Sequence, residues 1–350
     1  MTRIPVLEDT PLPKCFRDEA HLEDLLSIPP RGLVDDFAQL EGDLLVLGVA
    51  GKVGPTLAMM AKRAAPGRRV IGVARFSDQG VRRRLEVAGI ETIACDLLDR
   101  GAVARLPRAP NVVFMAGRKF GTVGSEPLTW AMNAVVPAHV GENFHGTRFV
   151  AFSTLCVYPF SPVAGPGAVA DDAPLKPLGE YANSCVARER VLQYFSGKTD
   201  SPGRLARLNY AIDCRYGVLH DVASWVLHGT PIDLRTGVAN CIWQGDATSH
   251  ILRCMCRGTV PASAINIGAP RTTSIRQAAQ RFGELLGREP VFAGCEQPDA
   301  WHNDCSEARR LFGDPIVDLD TMIRWNADWL RRGLPLHHKP THYEERAGAF

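Results

Sequence analysis

The sequence predicts an α/β fold in which a doubly wound parallel sheet is followed by a smaller C-terminal lid. The chain has 350 residues, of which 45% are hydrophobic, and this is enough for a large core in one α/β unit or in two domains. From Asp43 onward, short apolar runs alternate with amphipathic segments, as in strands that are joined by crossover helices. A glycine-rich string, from Gly48 to Gly54, follows the first apolar run directly and precedes a segment with helical spacing.

Six strands are expected in the first part of the chain, each a short apolar run bounded by polar or turn-forming residues. They are 44–47, 69–74, 91–95, 111–116, 148–153 and 204–209. The segments between them have helical spacing, so the region 41–210 is interpreted as one domain. Residues 1–40 are rich in proline and acidic side chains and are interpreted as an N-terminal extension.

Beyond Tyr210 the pattern is less regular and is interpreted as the lid, over 211–335, with the option that part of 240–262 returns to the first domain. Helices are expected at 218–227, 274–286 and 319–330, and short strands near 231–234 and 264–267. The end of the chain, 336–350, contains Pro340 and a charged, glycine-containing sequence. It is therefore expected to be a loose tail.

Composition argues against several classes of protein. The formal net charge of +2 is too small to indicate a nucleic-acid-binding or membrane-binding surface, and neither partner is expected. The N-terminus lacks a charged region followed by an apolar one, and no stretch approaches the roughly 18 apolar residues of a membrane span. A cytoplasmic location is expected.

The 10 cysteines are scattered through apolar runs instead of being densely spaced, as they would be in a small disulfide scaffold. Reduced, mostly buried thiols are therefore expected. Cys254 and Cys256 are the closest pair, and no second Cys or His pair stands at a zinc-like spacing from them. No metal site is predicted.

The glycine-rich string predicts a Rossmann-type domain that binds a dinucleotide. It reads Gly48-Val49-Ala50-Gly51-Lys52-Val53-Gly54, between a strand and the helical segment 56–65. Glycines at this spacing allow a tight turn, close approach of the backbone to a pyrophosphate, and close packing of helix on strand. Gly48, Gly51, Lys52, Val53 and Gly54 are accordingly predicted to contact the cofactor.

Two later strand ends indicate how the adenosine half would be held. The second strand ends at Arg75, where an NAD site normally has an acidic residue, and a guanidinium suits a ribose 2′-phosphate. NADP is therefore favoured over NAD, although an exposed arginine stacked on adenine is an open alternative. After the third strand, Asp96 is placed to accept from the adenine amine and Leu97 to contact the ring. A helix cap is the alternative role for Asp96.

In the order of its landmarks over about 43–330, the sequence resembles the extended short-chain dehydrogenase/reductases, the NAD-dependent epimerase/dehydratase family. Besides the glycine spacing, the matching segments are Val113-Phe114-Met115-Ala116-Gly117, Lys119, Asn133, Phe152-Ser153-Thr154 with Val157-Tyr158, and Asn266-Ile267-Gly268. The resemblance implies that Ala116, Gly117 and Lys119 lie along the cofactor. It also implies that Thr154, with Ser153 in reserve, is the hydroxyl that contacts the substrate.

The catalytic signature of that family is Tyr-x-x-x-Lys, but this sequence reads Tyr181-Ala182-Asn183-Ser184-Cys185. In the family, the ammonium sits over the nicotinamide ribose and lowers the tyrosine pKa. Bringing a free phenol from about 10 to about 7 requires about 4 kcal/mol, at roughly 1.36 kcal/mol per pKa unit, which a neutral thiol does not supply. Cys185 is then expected to fill the space, and the positive field is left to Lys119, to Arg188 or to the oxidised nicotinamide ring.

The resemblance implies an NAD(P)-dependent oxidoreductase or epimerase that acts on a carbohydrate-like alcohol, such as a nucleotide sugar, by hydride transfer. Tyr181 would exchange the hydroxyl proton. Tyr210, Arg215 and Trp243 are expected to line the small-molecule substrate site in the lid. The alternative is a non-catalytic NAD(P)-binding sensor or scaffold that lost the lysine. The oligomeric state stays open, a homodimer being one option.

Overall fold

The computed structural model describes residues 4–165, 168–339 and 341–350. Its centre is a seven-stranded sheet in which every neighbouring pair of strands is parallel. The strands are β1 (Leu44–Leu47), β2 (Val70–Ala74), β3 (Glu91–Ala94), β4 (Asn111–Phe114), β5 (Arg148–Thr154), β6 (Gly203–Leu208) and β7 (Ser263–Ile267). Their order across the sheet is β7-β6-β5-β4-β1-β2-β3, so the direction of winding reverses between β1 and β4.

Thirteen α-helices are found in the described part of the chain. They are α1 (Glu19–Leu26), α2 (Arg31–Ala38), α3 (Gly54–Ala64), α4 (Gln79–Val87), α5 (Arg100–Ala104), α6 (Glu126–Trp130), α7 (Val136–Asn143), α8 (Gly179–Thr199), α9 (Val218–His228), α10 (Gln244–Arg253), α11 (Ile275–Leu286), α12 (Ser306–Phe312) and α13 (Leu319–Arg331). A single π-helical stretch, Ala131–Val135, joins α6 to α7.

The central strands are apolar on both faces because helices cover both sides of the sheet. Every residue of β1, β2 and β4 is buried. One core cluster joins the sheet to α3 and α10, and a second joins its other face to α5 and α7. The fold is therefore the expected Rossmann-type doubly wound α/β fold, and ligands of such sheets bind beyond the carboxyl ends of the strands, where the winding reverses.

One predicted strand lies in a different part of the molecule from the one expected. The segment near 264–267 was assigned to the lid, but as β7 it pairs with β6 at the edge of the central sheet. Its apolar side chains explain this position, because Ile265 and Ile267 are fully buried in the core cluster that α10 also shares. The chain thus returns from the lid to the main sheet.

The N-terminal extension and the lid share one core. Phe16, Leu22 and Leu26 are buried in the same cluster as the indoles of Trp243 and Trp325. The cluster also includes apolar faces of α9, α11 and α13. The extension therefore completes the hydrophobic core of the lid. Nothing in the sequence pattern of the extension indicates that it packs against the lid.

The last residues are packed, which corrects the expectation of a loose tail. Tyr343 and Phe350 are 1% and 8% exposed, because both aromatic rings are inserted into the body of the molecule. The backbone oxygen of Phe350 accepts a hydrogen bond of 2.9 Å from the Thr122 nitrogen. Pro340, which contributed to that expectation, lies outside the described residues. Residues 341–350 are called the C-terminal segment below.

The ten cysteines all carry free thiols, and seven of them are buried. In the ranges that the structure describes, no helix is long and apolar enough to cross a membrane. Among the same residues, no cluster of three or more His, Cys, Asp or Glu side chains could hold a metal ion.

Candidate active site

The glycine loop lies between β1 and α3. Gly48 is required by its backbone conformation and by close packing, and Gly54 by close packing alone. Gly48 has a φ of +92°, and a Cβ there would lie 2.6 Å from the Ala116 nitrogen. A Cβ at Gly54 would lie 2.0 Å from the Val49 oxygen. A Cβ at Gly51, by contrast, would have its nearest contact at 3.7 Å, so packing within the protein does not explain this glycine.

The exposed space beside Gly51 fits a pyrophosphate held against the loop. The N-terminus of α3 begins at Gly54, where the positive end of the helix dipole favours a negative charge. The loop and the start of the helix are thus suited to the cofactor that the sequence predicts.

The predicted adenosine contacts follow β2 and β3 at the same edge of the sheet. Arg75 is exposed directly after β2. Asp96 is also exposed, and one of its carboxylate oxygens accepts a 3.0 Å hydrogen bond from the Leu98 nitrogen. The Leu97 side chain is buried in the core beneath this edge. The roles assigned to these residues toward a cofactor stay predictions.

A cavity of about 290 Å³ opens where the glycine loop, the ends of β4, β5 and β6, and the lid meet. It contains many of the predicted site residues. Those that line it are Lys52, Val53, Gly117, Lys119, Ser153, Thr154, Tyr181 and Tyr210. The fold therefore brings the predicted catalytic hydroxyls and part of the glycine loop into one space.

Tyr181 lies in the first turn of α8 and lines this cavity. Burial raises its pKa well above the usual value, and the neighbouring thiols of Cys185 and Cys156 raise it further. The charge of Arg188 and a hydrogen bond with the Thr154 side chain act in the opposite direction. Tyr181 and Thr154 thus stand together, but the phenol is strongly held in its protonated form.

The two hydroxyls of the β5 end have different surroundings. Ser153 donates a 2.5 Å hydrogen bond to Oε1 of Glu189, and this fully buried carboxylate also forms a 2.7 Å ion pair with Arg207. Thr154 Oγ1 accepts from the Cys156 nitrogen at 3.2 Å, and its other side-chain partner is Tyr181 on the cavity wall. Thr154 is therefore the hydroxyl better placed to contact a substrate.

Cys185 lies one helical turn after Tyr181 and is 0% exposed. Burial raises the pKa of its thiol to about 11, so the side chain is neutral at physiological pH. It packs among Tyr181, Ala182 and Cys156. Its place in the core agrees with a space-filling role.

Two lysines enter the cavity from the loops on the cofactor side. Lys119 Nζ lies 6.0 Å from the ring centroid of Tyr181, and burial lowers the pKa of its ammonium. Lys52 Nζ lies 3.1 Å from the ring centroid of Tyr216. Burial, followed by the charge of Lys119, lowers the pKa of Lys52 to about 7. Both ammonium groups lack full solvation, which favours an anionic group nearby.

Residues 44–210 match the model of the NAD dependent epimerase/dehydratase family. This region of the chain is similar to that family. The matched region contains the glycine loop, Thr154, Tyr181 and Cys185, so the departure from Tyr-x-x-x-Lys lies inside it. No curated protein matches the sequence significantly.

Solved structures share the fold across most of the chain. A dTDP-glucose 4,6-dehydratase from Bacillus anthracis, in complex with NAD, has a TM-score of 0.69 at 14% identity over 83% of this chain and 97% of its own. A UDP-glucose 4-epimerase from Thermus thermophilus, also with NAD, has a TM-score of 0.65 at 20% identity over 83% and 99%. A UDP-glucuronic acid 4-epimerase from Bacillus cereus has a TM-score of 0.67 at 17% identity over 83% and 99%.

Two residues predicted for the substrate site lie elsewhere in the structure. Arg215 is 2% exposed and forms ion pairs with Asp213 at 2.5 Å, Glu23 at 2.6 Å and Glu19 at 2.8 Å, so its charge is already neutralised. It joins the lid to α1 and does not line the cavity. Trp243 is also absent from the cavity wall.

Trp243 packs in the lid's core because its large apolar ring is fully buried there. Its ring centroid lies 5.0 Å from that of Trp325 and 6.3 Å from that of Phe16. Of the three predicted lid residues, Tyr210 alone lines the cavity, and burial raises its pKa well above the usual value.

The C-terminal segment supplies a wall of the cavity that sequence reasoning missed. The Phe350 ring packs edge-on against Tyr181 at a centroid distance of 5.5 Å and stacks on Trp301 at 6.3 Å. Thr341 and His342 line the same cavity. The aromatic residues at the end of a charged stretch were the available signal that this segment is packed.

Proposed function

We propose that this protein is an NAD(P)-dependent oxidoreductase or epimerase that acts on a carbohydrate-like alcohol. The observation that carries the proposal is the meeting of Tyr181 and Thr154 on the wall of a cavity that begins at the glycine loop. Nucleotide-linked sugars are the first substrates to test, since the solved proteins with this fold include dehydratases and epimerases of dTDP- and UDP-linked sugars.

When bound, the dinucleotide would accept the hydride from the substrate carbon. The loop around Gly51 and the N-terminus of α3 would hold its pyrophosphate. Thr154 would donate a hydrogen bond to the substrate oxygen and so stabilise the charge that develops there. Tyr181 would take the hydroxyl proton at its phenolic oxygen during oxidation and return it during reduction.

Preference for NADP belongs to this proposal. Arg75 is exposed at the end of β2, where it is free to form charge-assisted hydrogen bonds with a 2′-phosphate. Among the described residues, no carboxylate forms an ion pair with it.

The test uses the purified protein with NAD⁺ or NADP⁺ and a panel of UDP-glucose, UDP-glucuronic acid and dTDP-glucose. Nicotinamide absorbance follows net oxidation, and chromatography with mass spectrometry and NMR follows epimerisation or dehydration, in which the cofactor shows no net change. A Gly51→Val variant is the control for turnover that needs the dinucleotide. Binding of the dinucleotide without conversion of any sugar would contradict the enzyme assignment.

The second candidate is a non-catalytic dinucleotide-binding protein. It is favoured by the neutral Cys185 in the place of the family's lysine and by the Phe350 ring packed on Tyr181. Such a protein would bind NAD(P), respond to its redox state in shape or in partner binding, and show the same behaviour after Tyr181→Phe.

A further inference from the structure

Arg188 is a buried cation for which the structure shows no counter-ion. It is 5% exposed, and no carboxylate among the described residues lies within ion-pair distance of its guanidinium. Its neighbour Glu189 is bound to Arg207 and Ser153 instead. A buried charge without a partner costs several kcal/mol, so such an arrangement points to an anion that forms or binds nearby.

Neutral groups hold the Arg188 side chain in a fixed place at the floor of the cavity. Nη1 donates to the Phe152 oxygen at 2.9 Å, and Nη2 donates to Asn133 Oδ1. Nε is buried and has no hydrogen-bond partner in the described part of the chain. A Cβ on Gly117 would lie 2.3 Å from Nη2, so this glycine is what admits the guanidinium under the cofactor-side loop.

The helix relates this cation to the candidate acid-base group. Tyr181, Cys185 and Arg188 are separated by four and three residues on α8, which places all three on one face. The charge of Arg188 lowers the pKa of both the phenol and the thiol above it. It therefore acts along the same helical face on which the family carries its lysine, one turn further along.

Lys119 is the competing source of positive charge. Burial lowers its pKa, whereas a guanidinium stays protonated in proteins, so Arg188 offers the more permanent charge. The acidic groups near Lys119 are Cys156 after β5 and Glu344 in the C-terminal segment. The other basic groups on the cavity wall are His342, Lys52, whose pKa burial lowers to about 7, and Arg118, whose guanidinium donates to the Gly121 oxygen.

We propose that Arg188 is a positioning residue that provides the positive field for the Tyr181 phenolate in place of the missing lysine. The inference rests on the proposed function, in which Tyr181 exchanges the substrate proton. The anion that balances the buried guanidinium is then the phenolate itself, formed as the proton leaves the phenol.

The experiment measures the titration of Tyr181 directly and needs no substrate. Biosynthetic replacement of the 6 tyrosines by difluorotyrosine lowers the pKa of every phenol and gives each one a fluorine NMR signal. The signal of Tyr181 is assigned with Tyr181→Phe. Arg188→Gln should raise the pKa of Tyr181 by about one unit or more, because the variant removes a nearby opposite charge.

Matched variants distinguish an effect of the Arg188 charge from an effect of a disturbed structure. Arg188→Lys keeps the charge and should restore at least half of the shift, while Arg190→Gln, on the exposed side of the same helix, should leave the titration unchanged. Should Arg188→Gln fail to fold, Asn133→Asp neutralises the guanidinium in place and should raise the pKa in the same direction.

An unchanged titration in Arg188→Gln and Asn133→Asp would overturn the inference, as would an equal or larger shift in Lys119→Met. Hydride transfer on the sugar panel is measured in parallel. If the titration shifts as expected but no variant or parent turns over, Arg188 still sets the field at Tyr181 and it is the proposed function that fails.

Discussion

At the scale of single residues, the candidate site has the Tyr181 and Thr154 hydroxyls on its wall and a cysteine at the position where the family signature has lysine. The sequence predicts that Tyr181 and Cys185 lie on one face of a helix, because the four-residue spacing is a local property, and both lie on α8 in the structure. It does not say which of Lys119 and Arg188 supplies the field. That choice depends on burial and on contacts with Asn133 and Phe152, which lie far away in sequence.

Replacing Tyr181 with phenylalanine should lower turnover on the first active sugar by about two to four orders of magnitude, the usual range for general acid-base help. Cofactor affinity should hardly change. Burial raises the pKa of Tyr181 far above neutrality, so the small phenolate fraction still increases with pH near pH 7. Oxidation by the parent should therefore accelerate as the pH rises through neutrality. Steady-state rates across pH provide the measurement.

Tyr194→Phe is the control for this substitution, since Tyr194 lies on the same helix and is 60% exposed. It should keep the activity and pH profile of the parent. Parent-like turnover in Tyr181→Phe would mean that the ring has a structural role and that another group handles the proton.

Arg75→Ala should weaken NADP(H) binding about tenfold or more, because hydrogen bonds to charged groups contribute about 1.5 to 3 kcal/mol. NAD(H) affinity should stay unchanged. Calorimetric titration of both cofactors measures this, with Arg83→Ala as a control at another exposed arginine, on α4. If NAD(H) binds the parent at least as tightly as NADP(H), Arg75 does not hold a 2′-phosphate.

At the scale of elements, the sequence predicts strands well where a run is apolar on both faces. The expected bounds of β1 agree with the structure, and those of β2 and β6 differ by one residue at their ends. The sequence predicts the strand near 264–267 but places it in the lid, whereas in the structure it is β7 of the central sheet. A four-residue apolar run does not show which strand it pairs with, and here the pairing is with a strand nearly sixty residues earlier.

Within the glycine loop, two substitutions should have opposite consequences. Gly51→Val should abolish dinucleotide binding yet keep cooperative thermal unfolding, because a side chain there meets no protein atom closer than 3.7 Å. Gly54→Ala should instead destabilise the fold, because its Cβ would overlap the Val49 oxygen at 2.0 Å. Thermal melting with and without cofactor distinguishes the two, and retained NAD(P) affinity in Gly51→Val would remove the basis for the cofactor assignment.

At the scale of the whole molecule, the ends of the chain were the least predictable parts. Proline and charge in 1–40 and 336–350 suggested an extension and a loose tail, yet Phe16 and Phe350 are both buried against distant elements. Local composition indicates neither partner, because these contacts join residues that are distant in sequence, such as Phe16 with Trp325 and Phe350 with Tyr181. A few aromatic side chains bury these segments, although most of the residues around them are polar.

The Phe350 ring packs against the candidate acid-base residue, and we expect a substrate that binds at Tyr181 to displace this ring. Burying a phenylalanine side chain contributes about 1.5 to 3 kcal/mol, and that contribution opposes ligand binding. Phe350→Ala should therefore tighten the binding of UDP-glucose to the cofactor-loaded protein by about tenfold to a hundredfold. Calorimetry measures the change, and Tyr194→Ala controls for loss of an aromatic ring at an exposed site. If Phe350→Ala binds the sugar more weakly than the parent, the ring is part of the binding surface and the segment belongs to the substrate site instead of blocking it.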